Sequence, residues 1–245
     1  MLHQLHKYHR DGCLRALPTN AAMQVQWVLV RFQAIIAILL GASEIATAED
    51  VPLRPTPGPT ACELRLANLA TFKPLPTLLG PGSCGASDVV RLETIVMRDK
   101  TRVIVRPPAT LRCSMAESLA LWMRNDIAPA AAMLGAPLAE IANYDSFDCR
   151  GRNRIIGAQL SEHSKANAID IRALKLTNGT VIEPTNPIVP KVFRETMRKS
   201  ACARFMTVLG PGSDGYHETH VHVDLAERAR GYRICQWEVR EPRSQ

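Results

Sequence analysis

The placement of the histidines constrains the fold of this chain more than any other feature. The sequence holds seven histidines, and three of them (His3, His6 and His9) precede a long apolar stretch. The other four fall in two short runs, residues 161–170 and residues 216–224. They are His163, His217, His220 and His222. A fold that joins the two runs would gather every histidine of the downstream domain at one place.

The second run is predicted to form a β-strand over residues 219–225. Side chains alternate between the two faces of a strand, so His220, His222 and Asp224 would share one face. Burying three polar groups on one face is costly unless each of them finds a partner. A metal ion would remove that cost, whereas the alternative is a hydrogen-bonded polar cluster that holds no metal.

Three residues of the two runs are the candidate metal ligands. Catalytic zinc sites use three protein ligands drawn from His, Asp and Glu and leave a further position open. His163 and Asp170 lie seven residues apart, with Asp170 at the start of a predicted strand, and His222 supplies the third donor. Alone, His163 would be read as a surface or capping residue, but the concentration of histidines favours a metal site. Asp224 is expected to orient a histidine rather than to bind the metal.

The first 48 residues are predicted to be a signal peptide. Four basic residues lead into an apolar stretch at residues 34–42, and Ala46-Thr47-Ala48 follows as a cleavage motif. The apolar stretch is shorter than the roughly 20 residues that span a bilayer. An uncleaved anchor helix is the alternative, and Met23 is a second candidate start. We expect a periplasmic or secreted protein, with a membrane contact only if the leader is retained.

The cysteines agree with export. Six cysteines follow the predicted leader, and an even number in a secreted chain indicates disulfides. Cys62 with Cys84 is a plausible local pair, but six cysteines allow 15 pairings and the spacing does not choose among them. The six are Cys62, Cys84, Cys113, Cys149, Cys202 and Cys235.

Charge gives only a general indication of the partner. The chain carries 30 Lys and Arg residues against 23 Asp and Glu residues. This modest basic excess suits an anionic polymer such as the cell wall, although many proteins without such a partner share it. No dense basic run with interleaved aromatic residues is present, which argues against nucleic-acid binding.

Local patterns predict an α+β domain with a small antiparallel sheet flanked by helices and stapled by disulfides. Hairpins are mixed with a few helices, without regular βαβ alternation. A helix is expected over residues 114–134, opened by a Ser114–Glu117 capping box and interrupted at Pro129. The domain is expected to span 61–239, between a proline-rich linker (49–60) and a tail (240–245). Other expected elements are a helix at 62–72, strands at 89–96 and 101–105 ended by Pro107-Pro108, a strand at 168–176, and a helix at 191–202.

The motifs of the two runs resemble a known group of zinc enzymes. Ser161-x-His163-x6-Asp170 followed by His220-x-His222 is similar to the superfamily of D-Ala-D-Ala carboxypeptidases, lysostaphin-type enzymes, penicillin-insensitive murein endopeptidase and the hedgehog signalling domain. A closer resemblance, over roughly residues 61–237, is to the bacterial extensin-like C-terminal domain family. It rests also on Cys149-Arg150, on residues 209–212 and on the spacing of His217, His220, His222 and Asp224.

This resemblance implies roles for the individual residues. Zn²⁺ would be held by His163, Asp170 and His222. His220 would be the general base or would stabilise the transition state, and His217 would line the site. Arg150 would contact substrate or the developing oxyanion, and Ser161 would orient the loop that carries His163.

Two positions depart from the superfamily pattern. Ala166 stands where the first motif usually has glycine. Thr219 stands where the carboxypeptidase branch has a catalytic glutamate, and the adjacent Glu218 would point to the other side of an extended chain. The chain therefore looks more like the branch that uses histidine as its base.

The resemblance implies an exported zinc peptidase that hydrolyses peptide bonds in peptidoglycan, of endopeptidase or carboxypeptidase type, with peptidoglycan peptides as its partner. The alternative is a catalytically silent zinc domain that binds cell-wall polymer or a protein partner. A third possibility is a structural domain that holds no metal.

Overall fold

The structure is a computed structural model that describes residues 58–242. The predicted leader (1–48) and most of the predicted linker (49–60) lie outside the described residues. Within the described range, no helix has the length and apolar character needed to cross a membrane.

Four α-helices lie between residues 58 and 242. They are α1 (Ala61–Leu66), α2 (Cys113–Trp122), α3 (Ala128–Ala132) and α4 (Lys191–Arg204). A π-helical turn, Met123–Ile127, joins α2 to α3, and the backbone N–H of Ala128 bonds the carbonyl of Met123. This wider turn comes directly before Pro129, whose ring would clash with a carbonyl in a regular helix. The expected interruption at Pro129 is thus a local widening rather than a break.

Eleven strands are present in the same range. In chain order they are β1 (Ala70–Leu75), β2 (Leu78–Leu79), β3 (Gly85–Ala86), β4 (Val89–Val96), β5 (Arg102–Arg112), β6 (Leu138–Asp145), β7 (Ala168–Leu176), β8 (Val181–Ile182), β9 (Thr207–Leu209), β10 (Val221–Asp224) and β11 (Ile234–Gln236). Nine of them form one sheet in the order β1-β4-β5-β6-β7-β10-β9-β11, with β8 paired to β7. The pair β2–β3 forms a separate small sheet.

The α+β class and a sheet with few helices are confirmed, but the sheet is larger than predicted and is mixed. Strands β5 and β6 run parallel, as do β9 and β11. The helical segment α2–α3 connects β5 to β6, and such a crossover allows a parallel pair. The prediction failed because the direction of a strand pair depends on which strands become neighbours in the fold, which the pattern of each strand does not determine.

The hydrophobic core lies between the sheet and helices α2 and α4. Trp122 is fully buried and meets Phe205 edge to face, with ring centroids 5.2 Å apart. Its indole N–H donates to the hydroxyl of Ser200 at 2.9 Å, so the buried polar atom has a partner. These contacts hold α2 against α4, and α4 leads directly into β9 beside the histidine-bearing strand.

Three local predictions were wrong. The capping box at Ser114 does not form, because α2 begins at Cys113 without a side-chain cap. The first helix ends at Leu66, and the rest of the predicted helix is a turn over residues 67–69 followed by the start of β1. Strand β5 continues past Pro107-Pro108. These prolines lie where the pairing of β5 with β4 is interrupted, so their missing N–H groups remove no hydrogen bond between the two strands.

The three disulfides pair cysteines that are distant in sequence. The predicted disulfide framework is confirmed, but the local pair Cys62–Cys84 is not formed. The bonds join Cys62 to Cys113, Cys84 to Cys149, and Cys202 to Cys235. Sequence proximity failed as a guide because the packing of helices, loops and strands, and not loop length, decides which cysteines meet.

Replacing both Cys202 and Cys235 by serine should lower the free energy of unfolding by about 4 kcal/mol, since the bond closes a loop of 33 residues. Urea unfolding followed by circular dichroism measures the change. A variant that unfolds at the same urea concentration as the wild type would contradict this account.

Candidate metal centre

Strands β7 and β10 bring the two histidine runs together. They pair antiparallel, and Asp170 lies directly opposite His222. His163 reaches the same point from a short 3-10 turn, Glu162–Lys165, that precedes β7. The hydroxyl of Ser161 accepts from the backbone N–H of His163 at 3.3 Å and caps this turn.

Three donor atoms converge at this point. Nε2 of His163 lies 3.2 Å from Nδ1 of His222 and 3.2 Å from Oδ1 of Asp170. The third side of the triangle, from Nδ1 of His222 to Oδ1 of Asp170, measures 2.8 Å. Ligands at zinc bond lengths in a tetrahedron lie about 3.4 Å apart. The triangle is therefore close to one face of a zinc tetrahedron.

The hydrogen bonds on the far side of each ring fix which nitrogen faces the centre. Nδ1 of His163 lies 2.7 Å from the carbonyl of Ser146, which can only accept, so this nitrogen donates. Nε2 of His222 donates in the same way to the carboxylate of Asp224 at 3.1 Å. When both rings are neutral, their remaining nitrogens and Asp170 all present lone pairs to one another. Such an arrangement needs a cation or a proton at its centre.

Without a metal, a proton takes that place. Burial opposes a charged imidazole, but hydrogen bonds to Asp170 and Asp224 raise the pKa of His222 to about 9. Burial also opposes a charged carboxylate at position 170, but the hydrogen bonds from His163 and His222 hold the pKa of Asp170 well below its usual value. The donor set, its charge and its shape fit a divalent cation, and His163, Asp170 and His222 are the residues that would hold it.

Two further histidines stand beside the triangle without belonging to it. His220 precedes β10, and its Nε2 lies 3.7 Å from Oδ2 of Asp170. Burial is the main cause that lowers the pKa of His220. The ring of His217 lies 5.0 Å from the ring of His220 and 5.5 Å from that of His222. Both imidazoles are thus close to the centre and free to bind or protonate another group.

Asp214 is a site residue that the sequence reasoning missed. Its Oδ1 accepts from Nδ1 of His217 at 2.6 Å and from the backbone N–H of Tyr216 at 3.0 Å. Its Oδ2 accepts from the side-chain amide of Asn153 at 3.2 Å. The bond to Asp214 leaves Nε2 of His217 as the available nitrogen. The three-residue spacing of Asp214 and His217, across a glycine turn, is the signal that could have found it.

Arg150 lies inside a group of carboxylates. Its guanidinium is 3.0 Å from Asp145, 3.3 Å from Asp148 and 3.8 Å from Asp170. The disulfide from Cys149 to Cys84 fixes the backbone directly before it. Arg150 therefore contacts a candidate metal ligand and is largely neutralised by the other two carboxylates.

The structure bears on both positions that depart from the superfamily pattern. Ala166 has φ of 52° in the left-handed region, which explains why glycine is usual there. Its buried methyl group packs with Ala86 and Val89, which offsets part of the backbone cost. Glu218 accepts from the backbone N–H of Gly212 at 2.7 Å and pairs with Arg240, so it is held by other parts of the chain.

Two cavities adjoin the centre. One of about 520 Å³ is lined by Asp170 and His220 together with Tyr144 and Tyr216. The other, of about 230 Å³, is lined by His163 and His222 from the triangle. A second group with metal-binding residue types, Cys62, Asp88 and Cys113, offers no thiolates because its cysteines form a disulfide.

Comparison with known proteins identifies one family. The family model described as extensin-like protein C-terminus matches residues 60–236. No curated protein and no solved structure matched the chain. The likeness to D-Ala-D-Ala peptidases and to the hedgehog domain therefore stays a prediction.

Asp170→Asn should weaken zinc binding at least about 100-fold, because it removes the only charged donor of the triangle. In the wild type, zinc at 1,000 times its Kd should stabilise the fold by about 4 kcal/mol, and at the same zinc concentration this gain should fall to about 1.4 kcal/mol or less in the variant. Elemental analysis and calorimetric unfolding with and without chelator measure both effects.

Asp214→Asn is the matched control, since Asp214 touches no atom of the triangle and this variant should keep its zinc. A wild-type protein that binds no zinc, or an Asp170→Asn variant that binds it as tightly, would contradict the assignment.

Proposed function

The chain belongs to the extensin-like C-terminal family, and on that premise we propose that it is an exported zinc-dependent peptidase that hydrolyses peptide bonds in peptidoglycan. One observation carries the proposal. The converging lone pairs of His163, Asp170 and His222 lie at the wall of a cleft, beside His217 and His220, which are not ligands. A purely structural metal site is closed by four protein ligands and needs no such neighbours.

The ligand set determines what chemistry a metal could supply here. When bound, zinc lowers the pKa of a coordinated water from about 15.7 to about 7 and polarises a carbonyl group. His163, Asp170 and His222 contribute three donors, which leaves a coordination position for water and substrate. Ser146 and Asp224 hold the two rings in the tautomers that face the metal.

His220 is the residue proposed to move the proton. Burial keeps its pKa below the ordinary histidine value, so the ring is mostly neutral at pH 7 and can accept a proton. The carboxylate of Asp170 nearby would favour the imidazolium once it forms. Thr219 replaces the glutamate of the carboxypeptidase branch, and Glu218 is engaged elsewhere, so histidine is the base on this cleft wall.

His217 and Arg150 take supporting roles. With Nδ1 bonded to Asp214, His217 presents Nε2, which we propose hydrogen-bonds the substrate or the developing charge. Arg150 keeps Asp170 in place, because its guanidinium lies 3.8 Å from that carboxylate while Asp145 and Asp148 neutralise its charge.

Export and the cell-wall substrate complete the proposal. Three disulfides stabilise domains outside the cytoplasm, in line with the predicted leader. The basic excess of the chain favours an anionic polymer. Tyr144 and Tyr216, both about half exposed, flank the larger cavity and offer flat faces to an extended substrate.

His220→Ala should keep bound zinc and lower kcat between about 100-fold and 10,000-fold, the range of general base catalysis. His222→Ala should lose both zinc and activity. Release of soluble peptides from purified peptidoglycan, followed by chromatography, measures the rates.

The alternative function predicts a different outcome. If the zinc-loaded wild type cleaves no substrate in a broad panel of cell-wall peptides, and His220→Ala still binds cell wall, the chain is a silent zinc domain that binds polymer or a protein partner.

Asp214→Asn should lower kcat about ten-fold without loss of zinc, because the neutral side chain no longer fixes the tautomer of His217. The ratio of kcat to bound zinc is the measurement. An unchanged kcat would show that His217 needs no orientation by Asp214.

A further inference from the structure

The partners of two arginines distinguish the smaller cavity. Its walls include Arg152 and Arg228, besides His163 and His222 of the triangle. Neither arginine forms an ion pair with a carboxylate within residues 58–242. Arg152 is exposed, and Arg228 is half-buried, with its guanidinium donating only to the carbonyl of Met206 and the hydroxyl of Thr207. An arginine has five N–H donors, so Arg228 keeps donors for a ligand.

The acidic side chains of the same cavity already have partners. Glu162 binds Lys165 at 2.6 Å and the amide of Asn167 at 2.7 Å. Asp224 accepts from His222 and from the backbone N–H of Ala226 at 2.9 Å. The third acid of the lining, Asp214, binds His217 and Asn153, so no carboxylate of the cavity pairs directly with Arg152 or Arg228.

The larger cavity differs in this respect. Its arginines are Arg154 and Arg150, which lies in the walls of both cavities. They share the carboxylates of Asp145 and Asp148, and the closest of these contacts is 2.7 Å. Two cations are matched by two anions, so this side offers no free charge to a ligand. An anionic group of a substrate would thus be attracted to the smaller cavity.

We propose that the smaller cavity is a subsite for a carboxylate, held by Arg152 and Arg228. Guanidinium groups bind carboxylates through paired, charge-assisted hydrogen bonds. The volume of about 230 Å³ is below the 300–1,000 Å³ of sites for drug-sized ligands, which suits a carboxylate on a small residue. Because His163 and His222 line this cavity, the carboxylate lies close to the metal centre.

This subsite specifies the substrate of the proposed peptidase, and its role in catalysis rests on that proposed function. With this subsite, the preferred substrate is a peptide that carries a carboxylate near the scissile bond. That carboxylate is either the α-carboxylate of a terminal residue or the side-chain carboxylate of an internal acidic residue.

Calorimetric titration with three small probes tests the subsite. N-acetylalanine carries a terminal carboxylate, N-acetylisoglutamine carries only a side-chain carboxylate, and N-acetylalanine amide carries none. The zinc-loaded wild type should bind at least one of the two acids at least ten-fold more tightly than the amide. Whichever acid binds more tightly identifies the source of the carboxylate, and either result supports the subsite.

Variants assign the binding to the two arginines. Arg152→Gln and Arg228→Gln should each weaken binding of the preferred acid about ten-fold, whereas the control Arg154→Gln should leave it unchanged. Arg152 is exposed, so its variant tests the proposal even if Arg228→Gln fails to fold, which circular dichroism would show. Equal binding of amide and acids, or unchanged affinity in Arg152→Gln, would overturn the proposal.

The titration does not depend on turnover. A protein that cleaves no peptide but binds the acid through Arg152 keeps the subsite and loses the proposed function. An active peptidase that binds acid and amide equally keeps the function and loses the subsite.

Discussion

The convergence of three lone pairs at one buried point is the interaction on which the rest of this structure depends. Ser146 and Asp224 orient the rings of His163 and His222 so that both unprotonated nitrogens face the carboxylate of Asp170. Three such groups repel one another when both rings are neutral, so the arrangement persists only with a proton or a cation between them. Three features hold these groups together against their mutual repulsion. They are the pairing of β7 with β10, the turn capped by Ser161, and the disulfide between Cys84 and Cys149.

The surroundings divide the charge of the site between two cavities. Around Arg150, carboxylates neutralise the cations, so this side holds Asp170 in position rather than attracting an anion. On the other side, Arg152 and Arg228 have no carboxylate partner within the described chain. The proposed subsite would give a substrate a direction, with its neutral part beside His220 and its anionic part in the smaller cavity. Orientation of this kind is a large contribution to catalysis, because it removes the entropy of aligning the reacting groups.

The sequence was sufficient to predict features with a local or compositional origin. The concentration of histidines predicted the cluster, and β7 was predicted with its observed bounds because an Asn178-Gly179 turn signal follows its run of apolar residues. Non-local features were beyond it. The partner of Cys62 depends on where β5 ends, and the role of Asp214 depends on a turn that folds back toward His217. Those contacts follow from tertiary packing, which no short pattern encodes.

X-ray absorption at the zinc edge, combined with an anomalous difference map of zinc-loaded crystals, tests the central claim most directly. The account predicts one zinc ion per chain, bound by Nε2 of His163, Nδ1 of His222 and a carboxylate oxygen of Asp170 at about 2.0–2.2 Å, with a further position held by water. Zinc at another location, or a closed site in which His220 supplies a fourth protein ligand, would contradict it.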